Sequence, residues 1–313
     1  AKELVPGTKR IICLRMDYLG PNLTTLSALQ DGERAYIARY ALGRDYHKLV
    51  RKRLAQLSKA IEALIGPFGH RVFVDSAPVL EKPLAQKAGL GWQGKHTLLI
   101  NRKHGSWFVL GEIFVDLPLP IDEPYQKDHC SRCESCMNVC PTNAFPQPYV
   151  LDANRCIAYL TIEHKGSIAK ELRPLIGNRV FGCDDCQLAC PWNRAPGTTQ
   201  ENDFKPRHGL DQAKLAQLFQ WSEEQFLERT QGSPIRRAGF EGWQRNLAIG
   251  LGNGPATTSS IQALENQRDK ATPMVAEHID WALNQLSKRK SQKIPITPLP
   301  LADHLGHKLK HLF

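Results

Sequence analysis

Eight of the nine cysteines in this chain lie between residues 130 and 190, and seven of them form two runs whose spacing is typical of iron–sulfur ligands. In a run of the form Cys-x2-Cys-x2-Cys-x3-Cys-Pro, the first three cysteines hold one [4Fe–4S] cubane and the fourth ligates the neighbouring cubane. The first run has this form with all four cysteines, and the second has the form Cys-x2-Cys-x3-Cys-Pro, with one cysteine fewer. The spacing therefore predicts two cubanes that share ligands between the runs.

Cys156 lies between the two runs and can supply the ligand that the second run lacks. The predicted ligands of cluster 1 are Cys130, Cys133, Cys136 and Cys190, and those of cluster 2 are Cys140, Cys156, Cys183 and Cys186. A pair of structural zinc sites is the alternative, because zinc also binds paired Cys-x2-Cys motifs. The ninth cysteine, Cys13, stands on an apolar strand and is predicted to be a buried core thiol.

The chain of 313 residues has a net charge of +10, which favours an anionic partner such as nucleic acid. An ordinary basic protein without a polyanion partner is the alternative explanation. The composition, 42% hydrophobic and 23% charged, is that of a globular protein with a substantial core. No apolar stretch is long enough to span a membrane, and no export signal is evident, so a reducing, cytoplasmic location is predicted.

The strands and helices of the chain can be predicted from the periodicity of its apolar residues. The first part of the chain mixes strands and helices, as an α/β or α+β domain would, and it contains neither a Gly-x-Gly-x-x-Gly nor a Walker motif. Strands are predicted at 10–16, 71–74, 97–101 and 106–115, and helices at 45–65 and 81–88.

Apolar periodicity beyond residue 206 predicts a series of short helices, whose pairing suggests a HEAT-like unit. The predicted class is α+β with three domains. These are a catalytic domain (1–122), a two-cluster ferredoxin-like module (123–200) and a helical domain that ends in a basic tail (201–313).

Several ordered segments of the sequence together resemble the epoxyqueuosine reductase family, from about Val5 to about residue 290. Besides the cysteine runs, the resemblance depends on segments 39–47 (Arg-Tyr-Ala-Leu-Gly-Arg-Asp-Tyr-His), 74–78 (Val-Asp-Ser-Ala-Pro), 88–96 (Ala-Gly-Leu-Gly-Trp-Gln-Gly-Lys-His), 105–108 (Gly-Ser-Trp-Phe), 111–113 (Gly-Glu-Ile) and 182–187 (Gly-Cys-Asp-Asp-Cys-Gln). Relatives carry an additional N-terminal segment, so the first domain is expected to be shorter than theirs.

The resemblance implies reduction of epoxyqueuosine to queuosine at the wobble base of a tRNA anticodon. It implies cobalamin and two [4Fe–4S] clusters as cofactors, and a cobalamin domain related to reductive dehalogenases. Because the sequence shows no Asp-x-His-x-x-Gly loop, no protein histidine is expected on the cobalt. The expected partners are tRNA and an external electron donor such as flavodoxin or ferredoxin, and the expected state is a monomer.

The resemblance also implies roles for particular residues. Asp75 matches the family's proton donor, and a carboxyl that faces an apolar corrin is expected to have a raised pKa. The alternative is that Asp75 or Ser76 only caps the following helix. Other active-site positions are Arg39, Tyr46, His47 and Lys82, and the last of these stands where relatives usually carry arginine. Cobalamin contacts are implied at Ala38, Leu99, Asn101, Leu110 and Ile157.

Basic and aromatic residues are candidates for RNA contact. Trp92 and Trp107 can either stack a flipped base or pack in the core. The basic candidates are Arg236, Arg237, Arg245 and the tail residues Lys288, Arg289, Lys290, Lys293, Lys308 and Lys310, for which a solvated surface is the alternative.

Two other classes of protein remain open from the sequence. One is a corrinoid reductase that acts on a small molecule, as a dehalogenase does. The other is an electron-transfer protein with two clusters and no catalytic site, which leaves the first 120 or so residues without a role.

Overall fold

The computed structural model describes residues 3–20, 25–75 and 77–292. Its strands are β1 (Arg10–Asp17), β2 (Tyr36–Ile37), β3 (His70–Phe73), β4 (Trp92–Gln93), β5 (Leu99–Ile100), β6 (Phe108–Val115) and β7 (Arg179–Phe181). Its α-helices are α1 (Thr25–Gln30), α2 (Tyr46–Ile65), α3 (Glu81–Lys87), α4 (Ser135–Asn138), α5 (Ile157–Ile162), α6 (Arg173–Ile176), α7 (Asp185–Leu188), α8 (Leu215–Phe219), α9 (Glu223–Arg229), α10 (Gly239–Asn253), α11 (Thr258–Arg268) and α12 (Pro273–Gln292). Short 3-10 helices lie at Arg39–Ala41, Ala153–Arg155, Pro191–Asn193, Asn202–Phe204 and Pro234–Ala238.

An antiparallel sheet in the order β1-β6-β3 forms the frame of the first part of the chain. Successive residues of β6 point to opposite faces, as in any strand. Gly111 faces α2, where an added Cβ would lie 2.9 Å from Leu54 and 3.0 Å from Val50, so the missing side chain lets the helix approach closely. The next residue, Glu112, therefore points to the other face, and Cys13 on β1 and Phe73 on β3 are its register partners.

Helix α2 begins and ends where the sequence provides the signals for it. The Asp45 side chain accepts a hydrogen bond from the His47 backbone N–H, which is the usual N-cap arrangement. Gly66 follows the helix with φ of +87°, a conformation that favours glycine. The buried face carries Leu49, Val50 and Leu54, so the predicted helix at 45–65 is confirmed.

The predicted strands 10–16, 71–74 and 106–115 correspond to β1, β3 and β6, and the predicted helix 81–88 corresponds to α3. The region 97–101 forms only the two-residue strand β5, which pairs with β4 rather than with β6. The chain reverses between Asn101 and Gly105, which form a single bridge. Gly105 has φ of +70°, so this turn needs a glycine.

Strand β2 pairs in parallel with β7, which joins the first part of the chain to the cysteine-rich part. Just after β7, Gly182 has φ of +72°, and an added Cβ would lie 2.5 Å from the Cβ of Ala38. The glycine therefore allows the backbone before Cys183 to pass directly against the first part of the chain.

Helices α8 to α12 form the last part of the described chain and confirm the helical periodicity beyond residue 206. Their core includes Trp243, Leu247, Leu264, Ile279 and Leu286. The HEAT-like arrangement stays a prediction. Among the described residues, no helix has the length and apolar character that crossing a membrane requires.

Arg245 was predicted to contact RNA from this helical part, and the structure shows that prediction to be wrong. Its side chain is buried, with 1% exposure, and its guanidinium donates to the backbone carbonyls of Leu160, His164 and Gly166. Burial lowers the pKa of Arg245 to about 10. The residue therefore ties α10 to the cluster-bearing part of the chain.

Candidate active site and cluster-binding site

The four cysteines assigned to cluster 1 line one cavity of about 240 Å³. Burial, together with the charges of Cys130, Cys136 and Cys133, raises the pKa of the Cys190 thiol to about 12. The structure thus brings Cys190, from the second run, to the three leading cysteines of the first run. The crossover of ligands that the spacing predicts is compatible with this placement.

The four cysteines assigned to cluster 2 also lie near one another. Burial raises the pKa of Cys186 well above its usual value, and the charges of nearby Cys156, of Cys136 from the cluster 1 set and of Cys140 contribute. Burial has the same effect on Cys183, with a contribution from Cys186. Burial raises the pKa of Cys156 as well, and Cys140 adds to the shift.

The cluster 1 cavity fits a cubane better than a single ion. Among the described residues, no three or more histidine, cysteine or acidic side chains are close enough together to hold a single metal ion. The cavity is several times the volume of a water molecule, about 30 Å³. A tetrahedral zinc site would instead draw its sulfurs to about 2.3 Å from one centre. The set of four thiols around this space fits a [4Fe–4S] cluster.

Two further groups on the turn after β4 line the cluster 1 cavity. Lys95 is buried and donates from Nζ to the carbonyl of Ser131 at 2.7 Å, so it places a cation beside the thiols. His96 is also buried, and burial lowers its pKa to about 4, so the ring is neutral. The sequence analysis gave neither residue a role, although both stand in the segment 88–96.

The candidate acid–base site lies at the end of β3. The hydroxyl of Tyr46 donates to Oδ2 of Asp75 at 2.5 Å, and Nε2 of His47 lies 3.5 Å from the same oxygen. On the other side of the ring, Nδ1 of His47 lies 2.7 Å from Oδ1 of Asp45. The structure therefore brings together three predicted site residues, and it adds Asp45.

The expectation of a raised pKa at Asp75 was wrong for this structure. The close contact with His47 lowers the pKa of Asp75 despite its partial burial, and Tyr46 and the charge of Lys82 lower it further. The Asp75 side chain is about half exposed, at 51%, so its desolvation is incomplete. Asp45 and Asp75 raise the pKa of His47 to about 9. At neutral pH the pair is therefore a carboxylate beside an imidazolium.

Two carboxyl groups that sequence reasoning missed lie close to Asp75. Glu112 is 1% exposed, and neither of its carboxyl oxygens has a hydrogen-bond partner among the described residues. Burial and the charges of Glu81 and Asp75 raise its pKa to about 7. Burial, with a contribution from Asp75, raises the pKa of Glu81 to about 7 as well. A single acidic residue within the apolar strand β6 was the available signal for Glu112.

Arg39 is buried, with 2% exposure, and its guanidinium stacks over the Tyr36 ring at 4.9 Å. Its backbone N–H donates to Asp184 at 2.9 Å, but Nε and Nη1 have no partner within the described parts of the chain. Lys82 lies on α3, near enough to Asp75 for its charge to lower the pKa of that carboxyl. Of these two predicted lining residues, Lys82 thus lies near Asp75, and Arg39 lies against Tyr36 and Asp184.

The predicted cobalamin contacts fall in separate places. Leu99 and Leu110 are buried together, whereas Ile157 packs in another cluster with Ile249, and Ala38 lies against Gly182. The Asn101 side chain is occupied in its own turn, where it donates to the carbonyl of Leu90 and accepts from the backbone N–H groups of Lys103 and His104.

Both tryptophans considered for base stacking are buried. Trp92 packs against Cys130, Cys190 and Trp192, and Trp107 packs edge-on to Tyr18. In this structure both tryptophans therefore pack in the core, as the alternative to base stacking predicted.

A basic cleft of about 750 Å³ lies beside the acid–base site, between α2 and the region of residues 201–232. Its lining includes five basic residues, Arg44, Lys48, Lys52, Arg53 and Arg207, and also Asp45, which contacts His47. Acidic residues of the cleft pair with Arg53 and Arg44. Lys48 and Lys52 form no salt bridge with a described residue, so their charges remain available.

Among the other basic candidates, Arg236 is exposed, and Arg237 is exposed but paired with Glu163 at 2.7 Å. Arg289 donates to the carbonyls of Gly252 and Gly254, so it caps the end of α10. Lys288 and Lys290 are exposed. Lys293, Lys308, Lys310 and also Ser76 lie outside the described residues.

The segment that carries cluster 2 is fixed directly to the first part of the chain. Asp184 accepts from the Tyr36 hydroxyl at 2.6 Å and from the Arg39 backbone. Gln187 donates to the carbonyl of Ser106 at 3.0 Å, and Asn193 accepts from the Ser106 backbone N–H at 2.7 Å. These bonds hold the backbone next to Cys183, Cys186 and Cys190 in place against the first part of the chain.

Two protein-family models match parts of the chain. A family model described as a 4Fe-4S double cluster binding domain matches residues 129–193, so the chain is an iron–sulfur protein with a two-cluster module. A second model, described as epoxyqueuosine reductase QueG, DUF1730, matches residues 1–76.

The relatives give the family. The epoxyqueuosine reductase of Pseudomonas aeruginosa is 62% identical over 283 residues, which cover 90% of this chain and 78% of that protein. The epoxyqueuosine reductase of Escherichia coli is 52% identical over 303 residues, which cover 97% of this chain and 79% of that protein. The chain belongs to the epoxyqueuosine reductase family.

Solved structures of the family share the fold. An epoxyqueuosine reductase with an epoxyqueuosine-modified tRNA-Tyr stem loop matches with a TM-score of 0.81 and 25% identity, over 99% of this chain and 80% of that one. The enzyme from Bacillus subtilis, with its catalytic loop swung out of the active site, matches with a TM-score of 0.83 over the same shares of the two chains.

Proposed function

We propose that this protein reduces the epoxide of epoxyqueuosine to the alkene of queuosine at the wobble position of tRNA. The observation that carries the proposal is the Tyr46–Asp75–His47 site, in a chain that also carries an eight-cysteine module and is 62% identical to an epoxyqueuosine reductase. Reduction of an epoxide to an alkene consumes two electrons and two protons and releases water. The chain offers groups for both requirements.

Cobalamin is proposed as the cofactor at the Asp75 region, and the residues there fit it. Its periphery is rich in amide groups, and the carboxyl oxygens of buried Glu112, which have no partner among the described residues, lie near Asp75. Bound cobalamin would supply a reduced cobalt centre that delivers electrons to the substrate. The contacts through Ala38, Leu99, Asn101, Leu110 and Ile157 remain proposals, and burial limits the four apolar ones to backbone atoms or small parts of their side chains.

Asp75 is the proposed proton donor to the departing oxygen. Because its pKa is lowered in this structure, it must receive the proton before it can give it up. His47 holds a proton at neutral pH and lies 3.5 Å from Oδ2, so it is the proposed source. Tyr46 orients the carboxyl by donating to the same oxygen. Lys82 and Arg39 are proposed to hold the substrate nearby.

The two clusters are proposed to deliver electrons one at a time towards this site, with the two sets of four cysteines as ligands. Asp184, Gln187 and Asn193 fix the cluster segment to the first part of the chain. Fixed positions keep the distance between the redox groups short and constant, which electron transfer requires.

The basic cleft is the proposed path of the RNA backbone next to the target nucleoside. Phosphates account for most of the affinity in such complexes, and lysines hold them as point charges. Lys48 and Lys52 have no acidic partner among the described residues, and the cleft shares Asp45 with the acid–base site. Exposed Arg236 and Arg237 could extend the same contact.

The decisive experiment is reconstitution with iron, sulfide and cobalamin, followed by reaction with epoxyqueuosine-containing tRNA and a strong reductant. Queuosine in the digested tRNA, detected by mass spectrometry, is the expected product. Full cofactor loading without queuosine would contradict the proposal. Turnover of a halogenated small molecule under the same conditions would instead favour the small-molecule reductase.

Further parts of the proposal follow from the family. We place the catalytic, cluster and helical domains at 1–122, 123–200 and 201–313, with a HEAT-like helical part and a first domain related to reductive dehalogenases. We further propose that the protein acts in the cytoplasm as a monomer and receives electrons from a flavodoxin or ferredoxin.

A further inference from the structure

His96 lines the cavity formed by the cluster 1 cysteines, and the state of its ring can be assigned from its contacts. The backbone N–H of Leu98 donates to Nδ1 of His96 at 3.2 Å, so this nitrogen carries a lone pair. In a neutral imidazole, the proton is then on Nε2. The contact with Leu98 therefore makes Nε2 a hydrogen-bond donor.

The Nε2 donor has no acceptor among the described residues, cysteine sulfurs included, although the side chain is only 3% exposed. Leaving a buried N–H unpaired is unfavourable, because the group has lost its hydrogen bond to water without gaining another. Such a donor in the wall of a cofactor cavity indicates that the cofactor itself provides the acceptor. The inorganic sulfides of a cubane are acceptors of this kind.

We propose that His96 donates its Nε2 hydrogen to a sulfide of cluster 1 and thereby raises the reduction potential of that cluster. The inference rests on the proposed two-cluster module. A reduced cluster carries one more negative charge than an oxidised one, so a hydrogen bond to its sulfur is stronger in the reduced state. Hydrogen bonds to cluster sulfurs are among the factors that set these potentials.

The groups around the two clusters differ in charge and in hydrogen-bond donors, and the difference favours a higher reduction potential for cluster 1. Cluster 1 has the buried cation Lys95 and the free donor of His96 in its cavity wall. Near cluster 2, buried Asp185 lies 3.3 Å from Cys183, with its charge offset by Arg179. Cluster 1 is therefore the cluster expected to hold an electron more readily.

The test is a potentiometric titration of the reconstituted protein, followed by electron paramagnetic resonance, with His96→Leu as the main variant. The ratio of reduced to oxidised cluster 1 at a fixed solution potential is expected to fall about tenfold, as for the loss of one hydrogen bond to a charged group. The signal of cluster 2 serves as an internal reference and is expected to stay unchanged.

His96→Gln separates the hydrogen bond from packing, because the glutamine amide can place an N–H near the position of Nε2. This variant is expected to restore most of the potential. His129→Leu is a matched control, since His129 lines the same cavity but its Nε2 contacts the Tyr125 hydroxyl at 3.1 Å. This variant is expected to shift the potential much less, because the ring nitrogen is already paired.

Unchanged potentials in His96→Leu, with both clusters assembled, would overturn the inference, as would equal shifts in His96→Leu and His129→Leu. These outcomes leave the proposed function intact, because the readout is a potential and not queuosine formation. If the unmodified protein assembles no second cluster, the two-cluster module fails and this inference fails with it.

Discussion

The Tyr46 hydroxyl donates a hydrogen bond to Oδ2 of Asp75 at 2.5 Å, so the end of β3 is held by the first residue of α2. This contact joins an aspartate that follows a strand to a helix that begins 29 residues earlier. It orients the carboxyl and lowers its pKa, and both effects bear on how a proton is delivered.

Asp75→Asn is expected to reduce the rate of queuosine formation by at least about 100-fold, the usual effect of losing a positioned proton donor. The amide oxygen can still accept from Tyr46, so the local fold should be kept. Single-turnover assays give the rate, and RNA binding should be unchanged. Asp122→Asn, at an exposed position, is the control. A rate close to that of the unmodified protein would remove Asp75 as the donor.

His47 is expected to give the reaction an alkaline limit. Its pKa is raised to about 9 by Asp45 and Asp75, so the ring loses its proton as the pH rises through that value. The single-turnover rate should therefore fall above about pH 9. His47→Gln should lower the rate at neutral pH and should remove this fall at alkaline pH. If the rate of the variant still falls above about pH 9, the fall is due to the titration of another group.

The same shift predicts a pH dependence of stability. Because the folded-state pKa of His47 lies above the ordinary value of 6.5, its contribution to stability is complete below that value. It is then lost as the pH rises through about 9. Thermal midpoints of the unmodified protein and His47→Gln should converge over this interval.

Serine substitutions test how the cysteines are divided. Cys190→Ser should remove cluster 1, whereas Cys140→Ser and Cys156→Ser should both remove cluster 2. The electron paramagnetic resonance signal of the remaining cluster should therefore differ between Cys190→Ser and the other two variants. Cys13→Ser is the control, because Cys13 lies on β1, where burial and Glu112 raise its pKa to about 12. If Cys140→Ser and Cys190→Ser leave the same signal, the division is wrong.

Lys48→Gln should weaken binding of the tRNA stem loop and reduce the slope of log Kd against log salt by about one, as expected for one lost phosphate contact. Lys59→Gln is the matched control. It is exposed on the same helix, about 16 Å further along, and does not line the cleft. Equal losses in both variants would show only a general charge effect.

Glu112→Gln is expected to stabilise the protein increasingly as the pH rises. The folded-state pKa of Glu112 is about 7, above the ordinary 4.5, so ionisation of the buried carboxyl destabilises the fold across this interval. Each pKa unit corresponds to roughly 1.4 kcal/mol. Thermal midpoints of the two proteins should agree near pH 4 and separate by pH 8. A difference that does not vary with pH would mean that Glu112 does not titrate in this range.

The sequence predicted what depends on local spacing. The cysteine runs, the helix from Tyr46 to Ile65 and the short strand just before Asp75 all follow from residues close together in the chain. The contacts that set the pKa of Asp75 were missed, since Tyr46 and His47 reach it across 28 or 29 residues. Arg245 was misjudged for a similar reason, because only the fold shows which side of a helix is buried.

The parallel pairing of β2 with β7 has a consequence for how the molecule can be altered. Residues 36–37 and 179–181 complete one small sheet, and Gly182 leaves no room for a side chain between them. The cluster-bearing segment is therefore not a cassette that can be exchanged for another ferredoxin module. The first part of the chain and the cluster-bearing segment each contribute one strand to this sheet. A chimaera would therefore have to exchange β2 and β7 together.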